Sequence, residues 1–284
     1  MSAAADLASG KGDKDENFPV VSILIGKQFR TPVLVFYRFA RIADDVADHP
    51  TAPAEEKLRL LEQMRASLVG ESNASPEGVA LRATLAERDL TSQHALDLLE
   101  AFRRDVTKLR YANWDELMDY CRYSAMPVGR FVLDVHGESK DTWSANDALC
   151  AALQIVNHLQ DCAKDYRELN RVYLPLDTLG DIPVDTLSQA QSPPALRAVL
   201  VSLAGRTQAL LDRSGPFAAQ IRNRRLSLDV SVIQTLAEDL TRRLLTRDPL
   251  KDRVHHVRGE MPGLLIKSLL RFAAARLGPK KTLS

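Results

Sequence analysis

Two pairs of aspartates constrain the fold of this chain more than any other feature of its sequence. Asp44 and Asp48 form the first pair, and Asp161 and Asp165 form the second. On an α-helix, a spacing of four residues places both carboxylates on one face, one turn apart. Two such faces pointed at each other would enclose Mg²⁺ ions, which prefer hard oxygen ligands and substrate phosphates. The spacing therefore predicts opposed helices around a site where a diphosphate leaves.

Helix start and stop signals recur along the rest of the chain. The segment 54–69 has Pro53 before it and Gly70 after it, the asymmetry typical of helix ends. Alternating strand patterns are scarce, and no Asn-Gly or Asp-Gly hairpin turn occurs. The sequence therefore predicts an all-α fold. Residues suited to helix caps precede the predicted helices at Ser75, Ser92, Asn113 and Asn146, the last for the helix of the second pair.

Composition places the chain among ordinary globular proteins. Its 284 residues suit one large domain or two small ones, and its formal net charge of +1 gives no argument for nucleic acid as a partner. Cys121, Cys150 and Cys162 lie far apart, which predicts reduced thiols and neither a zinc site nor a disulfide framework. No apolar run is long enough to span a membrane. Residues 1–16 are small, polar and charged, so we expect a disordered tail, a folded domain over 17–284 and a cytoplasmic location.

The surroundings of the two pairs distinguish them from solvated helix faces. A solvated face usually alternates in sign, whereas three aspartates crowd positions 44–48 behind an apolar and aromatic turn. Residues 148–156 are mostly apolar, so their helix belongs in the core, and Asn157 continues it as a polar stripe with the second pair. Buried carboxylates need a hydrogen bond, an opposite charge or a metal ion. The alternative is that each stripe simply leaves the core, but two stripes in one chain favour a metal site.

The longest irregular stretch runs from about residue 167 to 192, directly after the second pair. A long loop inside a compact helical domain is typically functional. We therefore expect this segment to act as a flap over the site.

Four motifs occur around the aspartates in a fixed order. They are Tyr37-x-x-x-Arg41-x-x-Asp44-Asp45-x-x-Asp48, Tyr120-Cys121-x-Tyr123-x-x-x-Val128-Gly129, Asn157-x-x-x-Asp161-x-x-x-Asp165 and Arg171-Val172-Tyr173-Leu174-Pro175. Together they resemble the squalene/phytoene synthase family of head-to-head isoprenoid synthases, over about residues 17–250. The resemblance implies a single-domain class I isoprenoid synthase fold, in which helices surround a central cavity and aspartate motifs lie on opposing helices.

The resemblance also implies roles for single residues. The catalytic carboxylates would be the four aspartates, and Tyr120 would lie nearest the reacting carbons. Mg²⁺ would be held by Asp44, Asp48, Asn157, Asp161 and Asp165, and would neutralise the leaving diphosphate. Substrate or diphosphate contacts are expected from Asn17, Phe18, Tyr37, Arg41, Gly129, Asn157, Arg171 and Tyr173. Phe18, Phe39 and Phe131 are candidates for stabilising a carbocation by cation–π attraction. His158 is expected to be a core residue and not a ligand.

Three stretches indicate which reaction of the family to expect. Residues 16–20, 110–114 and 120–129 are most similar to the hopanoid-pathway branch, which implies conversion of presqualene diphosphate and water to hydroxysqualene and diphosphate. Many relatives carry arginine immediately before the second aspartate motif, where this chain has Gln160, and this difference favours an enzyme that binds a single diphosphate. Open alternatives are the condensation of two prenyl diphosphates to presqualene diphosphate, squalene or phytoene, and a non-catalytic relative. Carboxylates at all four positions argue against the last.

The C-terminal segment 262–281 mixes apolar residues with lysine and arginine. Such a segment is either the last helix of the domain or a basic amphipathic helix in peripheral contact with anionic lipid at the inner face of the membrane. The pathway implied by the resemblance adds a presqualene diphosphate synthase and an oxidoreductase as functional partners.

Overall fold

α-Helices form almost all of the regular structure in the computed structural model, which describes residues 25–277. Within that range no strand is present beyond an isolated bridge between Arg110 and Val172, so the predicted all-α fold is confirmed. Asn17, Phe18 and the predicted tail 1–16 lie outside the described residues. The helices are α1 Lys27–Asp48, α2 Ala54–Val69, α3 Pro76–Ala86, α4 Gln93–Thr107, α5 Trp114–Ser124, α6 Met126–Val135, α7 Trp143–Leu169, α8 Leu176–Leu179, α9 Pro194–Ser214, α10 Phe217–Gln220, α11 Arg224–Thr246 and α12 Met261–Leu277.

Local signals set several helix boundaries as predicted. Helix α2 has the predicted bounds and is followed by Gly70, whose φ of 89° suits a residue without a Cβ. Ser75 Oγ accepts a hydrogen bond from the amide of Gly78 at 3.2 Å, and Asn113 Oδ1 accepts one from Glu116 at 2.9 Å. Each bond satisfies an amide that has no partner within the first helical turn, so α3 and α5 begin where the sequence indicates.

The predicted cap at Asn146 is wrong. A 3₁₀ turn at Lys140–Thr142 leads directly into α7, so that Asn146 lies inside the helix. Its buried side chain faces α6, where Nδ2 donates to the carbonyl of Met126 at 3.4 Å. Gly129 on α6 permits this approach, because a Cβ there would lie 2.0 Å from Asn146 Oδ1. The residue that resembles a cap is therefore a contact between two helices.

Two apolar cores hold the helices in place. One core is built mainly from α1 to α4 and includes Phe36 and Phe39, and the other is built from α5 to α11. Helix α1 packs on α3 and α4, whereas α7 packs on α9 and α11. Because α1 and α7 belong to different cores, their remaining faces are available to line a space between the cores.

The segment after α7 is more ordered than the predicted flap. Helix α7 continues through Leu169, and the segment contains α8 and a 3₁₀ turn at Val184–Ser188. Residues 171–175 are buried, and the amide of Val172 donates to the carbonyl of Leu109 at 2.9 Å. The start of this segment is therefore part of the protein interior and is anchored to the connection between α4 and α5.

Helix α12 contacts α10 and α11 and forms the last helix of the described domain. Four of its apolar side chains are nevertheless exposed: Leu265 (42%), Ile266 (60%), Leu269 (52%) and Leu270 (67%). Over residues 25–277, no helix combines the length and the apolar character needed to cross a bilayer.

Candidate active site

A cavity of about 540 Å³ lies between α1 and α7, with further walls from α4, α5, α6, α10 and α11. Its volume is within the range of small-molecule sites. The predicted catalytic, metal-binding and diphosphate-binding residues that the structure describes all line this cavity: Tyr37, Arg41, Asp44, Asp48, Tyr120, Gly129, Asn157, Asp161, Asp165, Arg171 and Tyr173. Asn17 and Phe18 lie outside the described residues.

Helices α1 and α7 each run from an apolar to an acidic part of the cavity. On α1, lining residues recur every three or four positions from Val33 to Asp48. On α7, the same spacing leads from Leu149 through Asn157 to Asp165. Fifteen residues of helix, as between Val33 and Asp48, span about 22 Å, so the two ends of the cavity are well separated. We refer to the part lined by Asn157 and the four paired aspartates as the acidic end.

The carboxylates of the acidic end repel one another. Burial, and next the charge of Asp48, raise the pKa of Asp44 to about 8, although Arg41 opposes the shift. Burial, then Asp161, then Asp48 raise the pKa of Asp165 to about 7. Asp48 lies on α1 and Asp165 on α7, so the effect of Asp48 on the pKa of Asp165 indicates that the two pairs are close enough to influence each other. The acidic end therefore carries an excess of negative charge that a cation would relieve.

The donor set of the acidic end fits Mg²⁺. Its carboxylates and the amide oxygen of Asn157 are hard ligands of the kind that Mg²⁺ prefers. In the part of the chain that the structure describes, no three carboxylate, imidazole or thiol groups are gathered closely enough to hold a metal ion by themselves. Mg²⁺ is usually bound through one or two carboxylates, with waters and substrate phosphates as its other ligands. The two facing aspartate pairs are therefore suited to Mg²⁺ ions that bind as a complex with a diphosphate.

Two arginines contact the carboxylates of α1. Arg41 forms ion pairs with Asp44 at 3.1 Å and with Asp45 at 2.7 Å. Arg171, from the segment after α7, donates to Asp48 Oδ1 at 2.5 Å. A guanidinium presents several N–H groups in a planar fork that matches carboxylate and phosphate oxygens. Both arginines are therefore positioned to contact phosphate oxygens at the acidic end.

Asp105, on α4, is a site residue that the sequence analysis missed. It is 5% exposed, and its carboxylate accepts hydrogen bonds from the hydroxyls of Tyr120 at 2.8 Å and Tyr173 at 2.9 Å. Burial raises its pKa to about 6, although the charge of Arg171 opposes the shift. Asp105 follows Phe102 on the apolar, cavity-lining face of α4. A carboxylate on that face was the signal available in the sequence.

His158 lies in the cavity wall and is buried, with its ring stacked on Tyr173 at 3.6 Å between centroids. Gln154 Nε2 lies 3.1 Å from His158 Nε2. Burial, and then the charge of Arg171, lower the pKa of His158 to about 3. The imidazole is therefore neutral at physiological pH and supports the position of Tyr173.

The aromatic lining differs from the prediction. Phe39 is fully buried in the core of α1 to α4 and does not line the cavity, because it lies on the opposite face of α1 from the aspartates. Phe131 does line it and stacks on Phe36, with 3.9 Å between ring centroids. Phe102 and Phe217 add further aromatic surface. The apolar part of the cavity therefore has the ring faces that a carbocation requires.

Gln160 turns away from the cavity. Its side chain is buried, and Nε2 donates to the carbonyl of Val254, in the segment between α11 and α12. In this position Gln160 contributes to packing. The geometry therefore gives no support to Gln160 as an indicator of the number of bound diphosphates.

Known proteins resemble this chain over most of its length. The sequence profile described as squalene/phytoene synthase matches residues 12–260. The hydroxysqualene synthase of Rhodopseudomonas palustris is 56% identical over 257 residues, which cover 90% of this chain and 88% of the relative. The hydroxysqualene synthase of Zymomonas mobilis is 54% identical over 265 residues, which cover 92% of this chain and 89% of the relative.

Solved structures share the same helical architecture. The squalene synthase HpnC from Alicyclobacillus acidocaldarius superimposes with a TM-score of 0.71 at 31% identity, covering 84% of this chain and 90% of that one. A dehydrosqualene synthase in complex with a ligand gives a TM-score of 0.72 at 22% identity, covering 88% and 89%, and supports the fold alone. The helices around a central cavity thus form the isoprenoid synthase fold, as predicted. With its ordered motifs gathered on one cavity and its sequence matched over residues 12–260, the chain belongs to the squalene/phytoene synthase family.

Proposed function

We propose that this chain is a hydroxysqualene synthase, which converts presqualene diphosphate and water to hydroxysqualene and diphosphate. The observation that carries the proposal is one cavity with an acidic end for a diphosphate and an apolar part for a long hydrocarbon. The names of the two bacterial relatives, more than half identical to this chain, support the same reaction.

The acidic end binds the diphosphate in this proposal. Members of the family act on isoprenoid diphosphates and are generally metal-dependent, and we propose Mg²⁺ as the metal. Bound with the diphosphate, Mg²⁺ supplies a Lewis acid that neutralises the leaving group. The residues that would hold it are Asp44, Asp48, Asn157, Asp161 and Asp165. Arg41 and Arg171 contact phosphate oxygens, and Tyr37, one turn before Arg41, adds a hydroxyl.

The apolar part of the cavity controls the fate of the carbocation. Ionisation of presqualene diphosphate leaves a cyclopropylcarbinyl cation, which any nearby water can capture. Aliphatic side chains of α1, α6, α7 and α11 exclude bulk water, so that a single held water attacks. The stacked rings of Phe36 and Phe131 offer their faces to the cation, and Tyr120 is the polar residue proposed to lie nearest the reacting carbons.

Substrate comparison tests this proposal. Purified protein with Mg²⁺ and without NADPH is incubated either with presqualene diphosphate or with farnesyl diphosphate, and the products are analysed by mass spectrometry. We expect hydroxysqualene from presqualene diphosphate and no product from farnesyl diphosphate. Presqualene diphosphate, squalene or phytoene formed from shorter prenyl diphosphates, with presqualene diphosphate left untouched, would instead identify a condensing enzyme.

We also propose that α12 contacts an anionic lipid surface. Leu265, Ile266, Leu269 and Leu270 are exposed on successive turns, with the exposed Lys267 between them. Such a helix binds at the interface through its apolar side chains and is attracted by anionic headgroups. Sedimentation with phosphatidylglycerol vesicles should capture the protein, and the variant Ile266→Ser/Leu270→Ser should bind less. Val69→Ser, on α2, provides the control for loss of one exposed apolar residue.

A location at the cytoplasmic face would place the enzyme beside its functional partners. A presqualene diphosphate synthase would supply the substrate, and an oxidoreductase would reduce the allylic alcohol. Both partners stay predictions from the sequence resemblance, and the cytoplasmic location stays a prediction from the composition of the sequence.

A further inference from the structure

Two tyrosine hydroxyls in the cavity wall donate to the same buried carboxylate. Tyr120 Oη lies 2.8 Å from Asp105 Oδ2, and Tyr173 Oη lies 2.9 Å from Asp105 Oδ1. A phenol has one hydrogen to donate and two lone pairs that accept. Since the hydrogen of Tyr120 is directed to Asp105, the lone pairs of its oxygen are left for other partners. A water bound to Tyr120 in the cavity must therefore donate one of its own hydrogens.

The proposed reaction releases a proton inside this cavity. Water that captures the carbocation becomes an alcohol only when it loses a proton, and the aliphatic side chains of the wall offer no acceptor for it. In the described part of the wall, Asp105 and Asp229 are the carboxylates that do not belong to the two pairs. Asp105 is the one hydrogen-bonded to Tyr120, the residue assigned a place beside the reacting carbons.

We propose that Asp105 accepts, through Tyr120, the proton that water releases when it captures the carbocation. The inference rests on the proposed hydroxysqualene synthase activity and adds a catalytic relay to it. A lone pair of the water oxygen forms the C–O bond, and one water O–H bond breaks as its proton passes to Tyr120 Oη. The Tyr120 O–H bond breaks in turn, and that proton passes to Asp105 Oδ2. Tyr120 ends unchanged, and the carboxylate becomes a neutral acid.

The surroundings of Asp105 suit a proton acceptor. Burial raises its pKa to about 6, so that it is mostly ionised at neutral pH and still more basic than an exposed aspartate. The titratable groups that face it are Asp44 and Asp48 on α1, Tyr120 on α5, Tyr111 before α5, and Arg171 and Tyr173 after α7. The charge of Arg171 favours the ionised form of Asp105, and the aspartates of α1 favour its protonated form. Asp105 can therefore gain and lose a proton near neutral pH.

A second pocket offers the proton a way out. A pocket of about 230 Å³ lies on another side of Asp105 and shares Asp105, Leu169 and Arg171 with the main cavity. Its wall includes Lys57 and the exposed Glu168, so it reaches solvent. Asp105 therefore stands between the apolar cavity and water, and it can return the proton to solvent between turnovers without admitting water to the carbocation.

Asp105→Asn tests the relay, because an amide reverses the hydrogen-bond polarity. The amide N–H of asparagine donates to Tyr120 Oη, which turns the phenol hydrogen toward the cavity and removes the acceptor for a water hydrogen. The acidic end keeps all of its residues, so ionisation of the substrate continues. We expect diphosphate release within about tenfold of the wild-type rate, while hydroxysqualene formed per diphosphate released falls by about 100-fold, the order typical of a lost general base. Hydrocarbon elimination products should replace it.

Three comparisons sharpen this experiment. Tyr120→Phe breaks the same relay from the other side and should shift the products in the same way, which keeps the test decisive even if Asp105→Asn fails to fold. Asp134→Asn removes a partly buried carboxylate that bonds His94 at 2.9 Å outside the cavity, and should leave turnover unchanged. In the wild type, hydroxysqualene formed per diphosphate released should fall as the pH drops below about 6, because Asp105 becomes protonated. Asp105→Asn should show no such dependence on pH.

The outcomes separate failure of the relay from failure of the proposed function. If Asp105→Asn and Tyr120→Phe still form hydroxysqualene in the wild-type ratio to diphosphate, another group, such as the departing diphosphate, accepts the proton and the relay is wrong. If the wild type forms no hydroxysqualene from presqualene diphosphate, the proposed function itself is wrong.

Discussion

Arg171 binds Asp48 at a distance of 2.5 Å, although 123 residues separate them in the chain. Two further hydrogen bonds fix the guanidinium: Nη2 donates to the carbonyl of Ala47 at 3.1 Å, and Nε donates to the carbonyl of Asp105 at 3.0 Å. One side chain thus connects the end of α1 with α4 and with the segment after α7. The motif after the second aspartate pair therefore helps to hold the first pair in place.

Arg171→Ala should destabilise the protein as well as reduce its activity. The substitution removes the side-chain donor to the buried carbonyl of Asp105, whereas the carbonyl of Ala47 keeps a second donor in Lys57 Nζ at 3.0 Å. Loss of a buried donor typically costs about 1–3 kcal/mol of free energy of unfolding. Urea unfolding measures this loss. Arg103→Ala is the control, because Arg103 contacts Glu62 at 3.3 Å with both side chains exposed, and such a pair contributes about 0–1 kcal/mol. Equal losses for the two variants would contradict the role assigned to Arg171.

Asp44→Asn and Asp161→Asn should each abolish turnover and leave helicity unchanged. The carboxylates repel one another in the folded protein, so replacing one with an amide removes a proposed metal ligand and relieves repulsion. Asp44→Asn also gives up the ion pair with Arg41, which keeps its contact with Asp45. Product formation and circular dichroism measure the two effects, and EDTA should inactivate the wild type reversibly. Asp119→Asn, at an exposed ion pair with Arg104, should retain activity. Unfolding of both site variants would instead indicate a structural role for these carboxylates.

Metal-free protein should lose stability as the pH rises. The folded pKa of Asp44 is about 8, above its ordinary value of 3.8, and that of Asp165 is about 7. Between about pH 4 and about pH 8 the native state binds more protons than the unfolded chain, because these two carboxyls stay protonated only when the protein is folded. The free energy of unfolding therefore falls as the pH rises from about 4 to about 8. Asp44→Asn/Asp165→Asn should flatten this dependence in thermal unfolding, and Mg²⁺ with diphosphate should offset it in the wild type. If the unfolding temperatures of the wild type and the double variant depended on pH in the same way, the repulsion assigned to these carboxylates would be contradicted.

Gly129→Ala should separate α6 from α7. The added Cβ would lie 2.0 Å from Asn146 Oδ1 and 2.7 Å from Cys150 Sγ, and both atoms belong to the packed wall of the cavity. Overpacking of this kind typically costs about 1–3 kcal/mol in unfolding free energy. Gly205→Ala, on α9, meets nothing within 4 Å and should be neutral or stabilising, because alanine is the better helix former. A loss of stability in the Gly205 variant alone would overturn the packing role of Gly129.

Local signals explain which parts of the fold could be predicted. The bounds of α2 and the caps at Ser75 and Asn113 depend on neighbours within one turn, and the structure matches them. The cap at Asn146 failed because a preceding 3₁₀ turn continues into the same helix, and no short pattern reports that continuation.

Helical spacing explains part of what was missed in the candidate site. Phe39 precedes Asp44 by five residues and so lies on another face of α1, whereas Phe36 precedes it by eight and shares its face. The different positions of Phe39 and Phe36 could therefore have been predicted from their spacing to Asp44. Asp105 and Gln160 differ, because their partners are distant in the chain: Tyr173 for the first and Val254 for the second. Such contacts depend on tertiary packing and cannot be derived from local periodicity.

Isotope labelling traces the oxygen atom that enters the product. Purified protein, Mg²⁺ and presqualene diphosphate are combined in H₂¹⁸O without NADPH, and the product is analysed by mass spectrometry together with the diphosphate released. We expect hydroxysqualene whose hydroxyl oxygen carries ¹⁸O, formed in equal amount to diphosphate. Unreacted presqualene diphosphate, or a product without the label, would contradict a cavity in which diphosphate leaves and water completes the reaction.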